Sequence, residues 1–337
     1  MKAVGYTRNG DSAVLKDIEL ARPKPSDRDL LVAVKAVSVN PVDTKVRANT
    51  PGDVAAPKVL GWDASGVVVA VGQAVQLFRP GDEVFYTGTI DRPGTNADYH
   101  LVDERIVGRK PATLDHGQAA ALPLTALTAW ELLFDRLRVE RAPAGTGGTI
   151  LIVNGAGGVG SVLVQLARRL TNLTVVATAS RPETVDWVRT MGAHHVVDHR
   201  KPLASQIRDL GIEQVEFVAG LTGTDRQLDE IAEIIAPQGH LALIDDVDLD
   251  IGRLKPKSVS VSWEMVFTRP LFRTADMIRQ HEILNELADL VDRSIIVTTL
   301  TRVAGEMSAA TLREAHDAIE AGTTIGKIVL TNDGDAR

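Results

Sequence analysis

The 337-residue chain contains no cysteine. That absence removes disulfides, thiolate nucleophiles and every cysteine-containing metal site at once. It has no excess of positive charge either: 37 basic against 44 acidic residues leave a net charge of −7, which argues against a general affinity for nucleic-acid phosphates. Nor is there an apolar run of membrane-spanning length, and Met1–Tyr6 enters a strand-like alternation with no apolar signal core. No membrane and no nucleic-acid partner is therefore expected, and the default location is cytoplasmic. No segment is of low complexity.

What is present is an ordinary globular composition, 44% hydrophobic and 24% charged, in a chain long enough for two domains. Up to about residue 110 the sequence runs in short β-like stretches, Lys2–Thr7, Leu30–Asn40, Gly66–Val71, Glu83–Tyr86 and Ala97–Val102, punctuated by Pro and Gly. This predicts a small, irregular β-barrel. His116–Leu137 turns helical in composition, and residues 142–148 form a Pro/Gly-rich loop. From Thr149 apolar runs alternate with helical patterns: strands at Thr149–Asn154, Thr174–Ala179, His194–Asp198, Gln214–Ala219, His240–Asp245 and Ser258–Ser262, with helices that include Pro182–Met191 and Asp225–Ile235. Strands joined by crossover helices run parallel, so the fold class is α/β with a doubly wound sheet of about six parallel strands. The tail, with β-like runs Ile295–Leu300 and Lys327–Leu330 around a helix at Ser308–Ala321, is expected to rejoin the first domain.

Asn154-Gly155-Ala156-Gly157-Gly158-Val159-Gly160 sits directly between a buried strand and an amphipathic helix. In that setting G-x-G-x-x-G is a dinucleotide signature: the glycines allow a tight turn, close approach of the backbone to a pyrophosphate and close packing of helix on sheet. The second strand ends Ala179-Ser180-Arg181 with no carboxylate at its tip. An acidic residue there would hold the ribose 2′-hydroxyl of NAD, whereas a hydroxyl and a guanidinium suit the 2′-phosphate of NADPH. His199 and Arg200, just past the third strand, are candidates for the same pocket.

Several motifs in order then give the chain a resemblance to the medium-chain dehydrogenase/reductase superfamily, in its quinone oxidoreductase branch and the zinc-type alcohol dehydrogenase-like subgroup. They are Asn40-Pro41-Val42-Asp43, Gly61-Trp62-Asp63-Ala64-Ser65-Gly66, Pro80-Gly81-Asp82-Glu83-Val84, the run Ala119–Trp130, the glycine turn and Gly326-Lys327-Ile328-Val329-Leu330. The resemblance implies a GroES-like catalytic domain (1–122 and 266–337) and a Rossmann NADPH-binding domain (123–265), with a homodimer as the assembly. Zinc-dependent relatives carry a Cys three residues before an Asp, and a Gly-His-Glu; here Asn40 precedes Asp43 and Trp62-Asp63 replaces His-Glu. The region of Leu124 and Thr125, where a third ligand would stand, also has no cysteine, so no metal site is expected and His100, His116, His194 and His195 do not rebuild one.

By the same resemblance Asn40 and Thr125 lie near the nicotinamide, and Gly155, Gly157, Gly158, Val159 and Gly160 hold the pyrophosphate. Ser180, Arg181 and His199 hold the adenosine phosphate; Leu221, Thr222 and Ile244 edge the nicotinamide; and Lys327 approaches the cofactor or is an ordinary surface lysine. The expected reaction is hydride transfer from NADPH to a small electron acceptor, a quinone or a carbonyl-conjugated alkene, aligned by the protein and assisted by hydrogen-bond donors. Asn40 and Thr125 are the catalytic candidates, with Tyr86 or solvent as the proton source. Asp43 and Asp63 are possible participants or loop-bracing residues. Two alternatives are a zinc-free alcohol or ketone oxidoreductase and a non-enzymatic NADPH-binding protein. In a chain with only 4% aromatic residues, Trp263–Phe272 is conspicuous, and is read as pocket lining, dimer contact or core.

Overall fold

A computed structural model describes residues 1–49, 53–142, 145 and 147–332, with residues 53–55 described in backbone only. Pro143, Ala144 and Thr146 of the predicted loop and residues 333–337 of the tail lie outside the described residues. The chain divides into two compact units, Met1–Leu127 with Phe267–Arg337, and Thr128–Val266.

The first unit is mostly antiparallel β-structure. In its larger sheet the order is Leu300–Glu306, Lys327–Thr331, Asp29–Ser38, Asp63–Val71, Glu83–Thr87, Val107–Arg109, with Tyr99–Asp103 also paired to Asp29–Ser38. Asp29–Ser38 and Asp63–Val71 are the central strands and carry the most continuous apolar character, which is why they are buried on both faces. The tail enters through Lys327–Thr331, antiparallel to residues 36–38. A smaller sheet pairs Lys2–Arg8 with Lys16–Glu19 and Asp53–Val59. Neither of those two partner strands is evident from alternation in the sequence.

The second unit is a doubly wound Rossmann sheet. Its six strands are all parallel, ordered His195–Val197, Thr174–Thr178, Thr149–Val153, Val215–Gly220, Ile235–Leu243, Ser260–Trp263, which is 3-2-1-4-5-6 by position in this unit. Helices Leu203–Asp209 and Thr224–Ile234 cover one face with Leu203, Ile207, Leu228 and Ile231, all buried against Leu151, Val176 and Val218. Gly158–Leu170 buries the continuous stretch Gly160–Ala167, while Val159 and Leu170 are only half-buried. One crossover departs from the expected pattern: a 3₁₀ segment, Ile251–Lys257, joins the last two strands, with Pro256 inside it disfavouring a longer α-helix. The predicted helix Pro182–Met191 has those bounds, with Pro182 in its first turn and Gly192 ending it at φ 115°.

Two tail elements differ from the sequence expectation. Helix Arg279–Asp292 is absent from the reading of the sequence, and the expected strand at Ile295–Leu300 begins only at Leu300. Ile295 and Ile296 instead donate backbone bonds to Leu290 O, closing the end of that helix, and Ile296 is fully buried. A tertiary need at the helix terminus overrides the β-propensity of two isoleucines.

Candidate functional site

In the first unit, residues from four distant segments meet at one end of the larger sheet. Asp63 opens its strand directly between Ser38 and Thr87 of the neighbouring strands. Just beyond Ser38, Asn40 precedes helix Pro41–Asn49, where Pro41 is suited to the first position and the Asp43 carboxylate accepts from the Asn40 backbone N–H at 2.8 Å. This is the returning half of a capping box, and it explains the Asn-Pro-x-Asp spacing in local terms.

The Asn40 side chain is fully assigned. Its Nδ2 donates to Asp63 Oδ2 at 2.8 Å and to Ser38 O at 3.3 Å, and its Oδ1 accepts from Lys327 Nζ at 2.5 Å. Lys327 Nζ also donates to Val39 O at 2.8 Å and Asp63 Oδ2 at 3.3 Å. Asp63 Oδ1 accepts from Leu124 N at 2.7 Å, so a carboxylate caps the start of helix Pro123–Trp130. Thr125 Oγ1 spends its hydrogen on Leu122 O at 3.0 Å. Asn40, Asp43, Asp63 and Lys327 are each at most 3% exposed.

Burial is the dominant influence on all three charges. It lifts Asp43 to about 7, against its hydrogen bond from Asn40 and the field of Lys327. It also raises Asp63, opposed by Lys327, and lowers Lys327, opposed by Asp63 and Asp43. Asp43 Oδ1, Ser38 Oγ and Thr87 Oγ1 are buried with no hydrogen-bond partner in the protein. The surface reading of Lys327 is corrected: its ammonium is interior. Asp43 and Asp63 brace backbone as well as carrying charge.

Tyr86 is also interior. Its hydroxyl lies 3.1 Å from His100 Nδ1, and His100 Nε2 lies 3.0 Å from Pro93 O, which can only accept. The imidazole hydrogen is therefore on Nε2, and the Tyr86 hydrogen is committed to Nδ1. Burial pushes the phenol up and holds His100 down to about 4, so this geometry gives Tyr86 no proton to release near neutral pH.

In the second unit the other candidates gather at the carboxyl edge of the parallel sheet. Gly157 precedes helix Gly158–Leu170 and no side chain caps it. A Cβ at Gly160 would lie 2.3 Å from Asn154 O, and one at Gly155 would lie 2.8 Å from Ala177 Cβ. Gly160 requires glycine because helix and turn touch backbone to backbone, and Gly155 because the Ala177 and Val188 side chains close over it. Asn154, at φ 65°, donates from Nδ2 to Thr222 Oγ1 at 3.3 Å, joining the glycine turn to the loop that holds Leu221 and Thr222. Asp245, next to Ile244, accepts from Thr224 N and Oγ1 at 2.9 and 3.0 Å.

At the strand tip Arg181 pairs with Glu183 at 2.9 Å. Arg200 donates to Ser180 O at 2.7 Å and is held by Asp198 at 2.8 Å. Arg200 thus stands nearer the tip than its place in the sequence suggests, with His199 beside it, which burial holds below the usual histidine range.

Sequence reasoning missed one titratable centre. Glu264 is buried with Glu131 nearby and Arg136 at 2.8 Å, and burial raises it to about 8, with Glu131 adding and Arg136 opposing. Nothing local marks this pair, which is separated by more than a hundred residues. Trp263–Phe272 divides in character: Trp263, Met265 and Phe272 are exposed, whereas Val266 and Phe267 are buried, Phe267 with its ring edge-on to Trp62 at 5.9 Å. Among the described residues no group of three or more His, Cys, Asp or Glu is arranged to hold a metal ion, and no helix is long and apolar enough to cross a membrane.

Residues 26–112 match the alcohol dehydrogenase GroES-like domain and residues 191–330 the zinc-binding dehydrogenase family. A zinc-type alcohol dehydrogenase-like protein of Staphylococcus aureus is 40% identical over 336 residues, 98% of this chain and 99% of its own. The chain belongs to the medium-chain dehydrogenase/reductase superfamily. Members of this superfamily are oxidoreductases, and the β-rich first unit is their GroES-like domain. A solved structure from Rhizobium etli, described as a zinc-dependent alcohol dehydrogenase, is 56% identical, covers 99% of each chain and superposes with a TM-score of 0.95. An NADPH-dependent alkenal/one oxidoreductase of Arabidopsis thaliana is 36% identical over 218 residues, 62% of this chain and 55% of its own.

Proposed function

We propose that this oxidoreductase takes hydride from NADPH and passes it, without zinc, to a quinone or a carbonyl-conjugated alkene. The observation that carries the reading is the uncapped, glycine-lined helix start at Gly157, with Ser180, Arg181, His199 and Arg200 grouped at the tip of the neighbouring strand and no carboxylate at the end of that strand. Gly158, Val159 and Gly160 would hold the pyrophosphate by main-chain N–H groups and the helix dipole, and Gly155 and Gly157, whose N–H groups bond to Thr178 O and Asn154 O, would shape the turn that lets it approach. Arg200 and Arg181, exchanging their carboxylate partners for phosphate oxygens, would hold the 2′-phosphate, and Leu221, Thr222 and Ile244 would border the nicotinamide. Bound NADPH would supply the hydride. The Arabidopsis relative, named for NADPH and for alkenal and enone substrates, supports both halves of the reading.

The residues do not fit zinc, although the relatives are named for it. Asn40 stands where a cysteine ligand would, and its only lone-pair atom is turned to an ammonium. The Trp62 indole donates to Thr89 O and offers no lone pair, and Asp63 is shared between Lys327, Asn40 and the Leu124 N–H. Zinc independence rests on that donor chemistry. The acceptor would therefore need to be electron-poor already, and the protein's part in the region of Asn40 and Thr125, whose side-chain donors are spent within the protein, would be alignment. With Tyr86 committed to His100, solvent is the proton source. A homodimer in the cytoplasm belongs to the same reading, and sedimentation would check the assembly.

The test is NADPH oxidation over a panel of quinones and enones, with metal content measured on the same sample. Turnover in metal-free protein with a preference for NADPH over NADH is the expected result. Stoichiometric zinc whose removal abolishes turnover would overturn it, as would a preference for NADH.

A further inference from the structure

The interior lysine points to a device that goes beyond this reading but rests on it. Lys327 Nζ faces three acceptors, Val39 O, Asn40 Oδ1 and Asp63 Oδ2, at 2.8, 2.5 and 3.3 Å. A carbonyl, an amide oxygen already opposed by its own Nδ2 bonds and a carboxylate oxygen all lack a hydrogen to give. Only an ammonium has three to supply; a neutral amine would aim a lone pair at one of them. Around it the cage is made of oxygens, with the second carboxylate, Asp43, close enough to act on Lys327 through space and its Oδ1 unpartnered.

We propose that Lys327 is a built-in cation, a positioning residue that occupies the interior of a charge cage and so orients Asn40 and, through Asp63, the helix start at Leu124–Thr125. Two consequences follow from the geometry. With Nζ present the Asn40 amide has one orientation, because turning it over would set its NH₂ against the ammonium. Burial pushes Asp63 toward its neutral form, and the positive charge beside it opposes that shift and favours the carboxylate that holds the Leu124 N–H. The cage is thereby closed to metal ions, and removing the side chain would open it.

Lys327→Ala deletes the three outer carbons and the nitrogen, a fragment matched in size and charge by propylammonium. The variant is expected to melt at a lower temperature and to lose roughly tenfold or more in kcat for NADPH oxidation, with a smaller change in KM for NADPH. Propylammonium at tens of millimolar should raise its melting temperature and restore several-fold of the lost kcat. Propanol, which has the shape without the charge, and tetramethylammonium, which cannot donate, should do neither. Wild-type protein should gain no stability from zinc chloride.

If Lys327→Ala does not fold, the double variant Asp63→Leu/Lys327→Met removes both charges and leaves no ion of that pair unpaired. It is expected to fold and bind NADPH yet to turn over slowly. Wild-type kcat in either variant would overturn the proposal, and so would equal rescue by propanol, or zinc stabilisation of the wild type that disappears in Asp63→Ala. Should the wild type reduce nothing in the panel, the functional reading fails alone, and the propylammonium melting arm still decides the cation.

Discussion

Around Gly157 the surface proposed to face the phosphates is main chain: the helix start is uncapped, the residues over it are half-buried, and what is required of the sequence there is the absence of side chains. Around Lys327 the contacts are mostly between side chains, joined by the Val39 carbonyl and the Asn40 and Leu124 N–H groups, and each of the four polar residues is bonded within the cage and shielded from solvent. The first arrangement keeps the N–H groups of the first helical turn ready for a ligand, while the Gly155 and Gly157 N–H groups bond to Thr178 O and Asn154 O and hold the turn itself. The second leaves little to offer, and so its work is to fix geometry. A backbone site tolerates change in neighbouring side chains but no added Cβ; a side-chain cage tolerates change in backbone but no lost charge.

The severest break in that contrast is Asp63→Ala, which leaves Lys327 buried without its carboxylate and the Leu124 N–H without its cap. Chemical denaturation should show a loss of about 3–5 kcal/mol, the usual result of removing one partner of a buried pair. A loss below about 1 kcal/mol would mean that the cage is hydrated and weakly coupled to the fold.

Gly160→Ala comes next. Its methyl group would collide with Asn154 O and the Gly155 backbone, costing about 1–3 kcal/mol of stability by overpacking. NADPH affinity, read by fluorescence titration, should fall far more than stability, because the turn must open to admit the methyl group. Unchanged affinity would show that the phosphate is not bound there.

Arg200→Ala sharpens the cofactor assignment. Losing one charge-assisted contact should raise KM for NADPH about tenfold, near 1.4 kcal/mol, while KM for NADH stays as it was. If Arg181→Ala alone has that effect, the strand-tip phosphate is read by Arg181, and the Arg200–Ser180 contact is only structural.

The smallest effect concerns pH. Asp43 titrates at about 7 in the folded protein, well above the unfolded carboxylate, because burial disfavours its charge. A raised folded value means that its contribution to stability is complete below about pH 4 and is lost as pH rises through about 7. Asp43→Asn keeps an oxygen for the Asn40 N–H and cannot ionise. Melting temperatures taken between about pH 4 and 7 should therefore decline less steeply in the variant than in wild type. Parallel profiles would place Asp43 in a wetter setting than its burial implies. Glu264, lifted to about 8 in the second unit, provides the matching control: Glu264→Gln should flatten the decline at the higher end of that range.

Much of the second unit is legible along the chain. Its strands are short apolar runs, its glycine turn falls between a strand and a helix, and Pro182 and Gly192 mark the two ends of a helix. Such signals are local: each depends on residues within a turn or two. The first unit is harder to read because its irregular strands lack clean alternation. Asp53–Val59 and Lys16–Glu19 pair with Lys2–Arg8 only once the chain has folded back. The isoleucines at 295 and 296 show the same thing in reverse, a local β-signal used instead to end a helix.

For the candidate site, the sequence by itself determined the glycine turn and the missing cysteines, since backbone conformation and ligand chemistry follow from residue type at short range. It could not determine that Lys327 is interior, that the Tyr86 hydrogen belongs to His100, or that Arg200 reaches the carbonyl of Ser180. The Lys327 nitrogen meets Asn40 and Asp63 across 287 and 264 residues of chain. Only tertiary packing decides such a meeting, because a charge enters a dry interior when its partners arrive there with it.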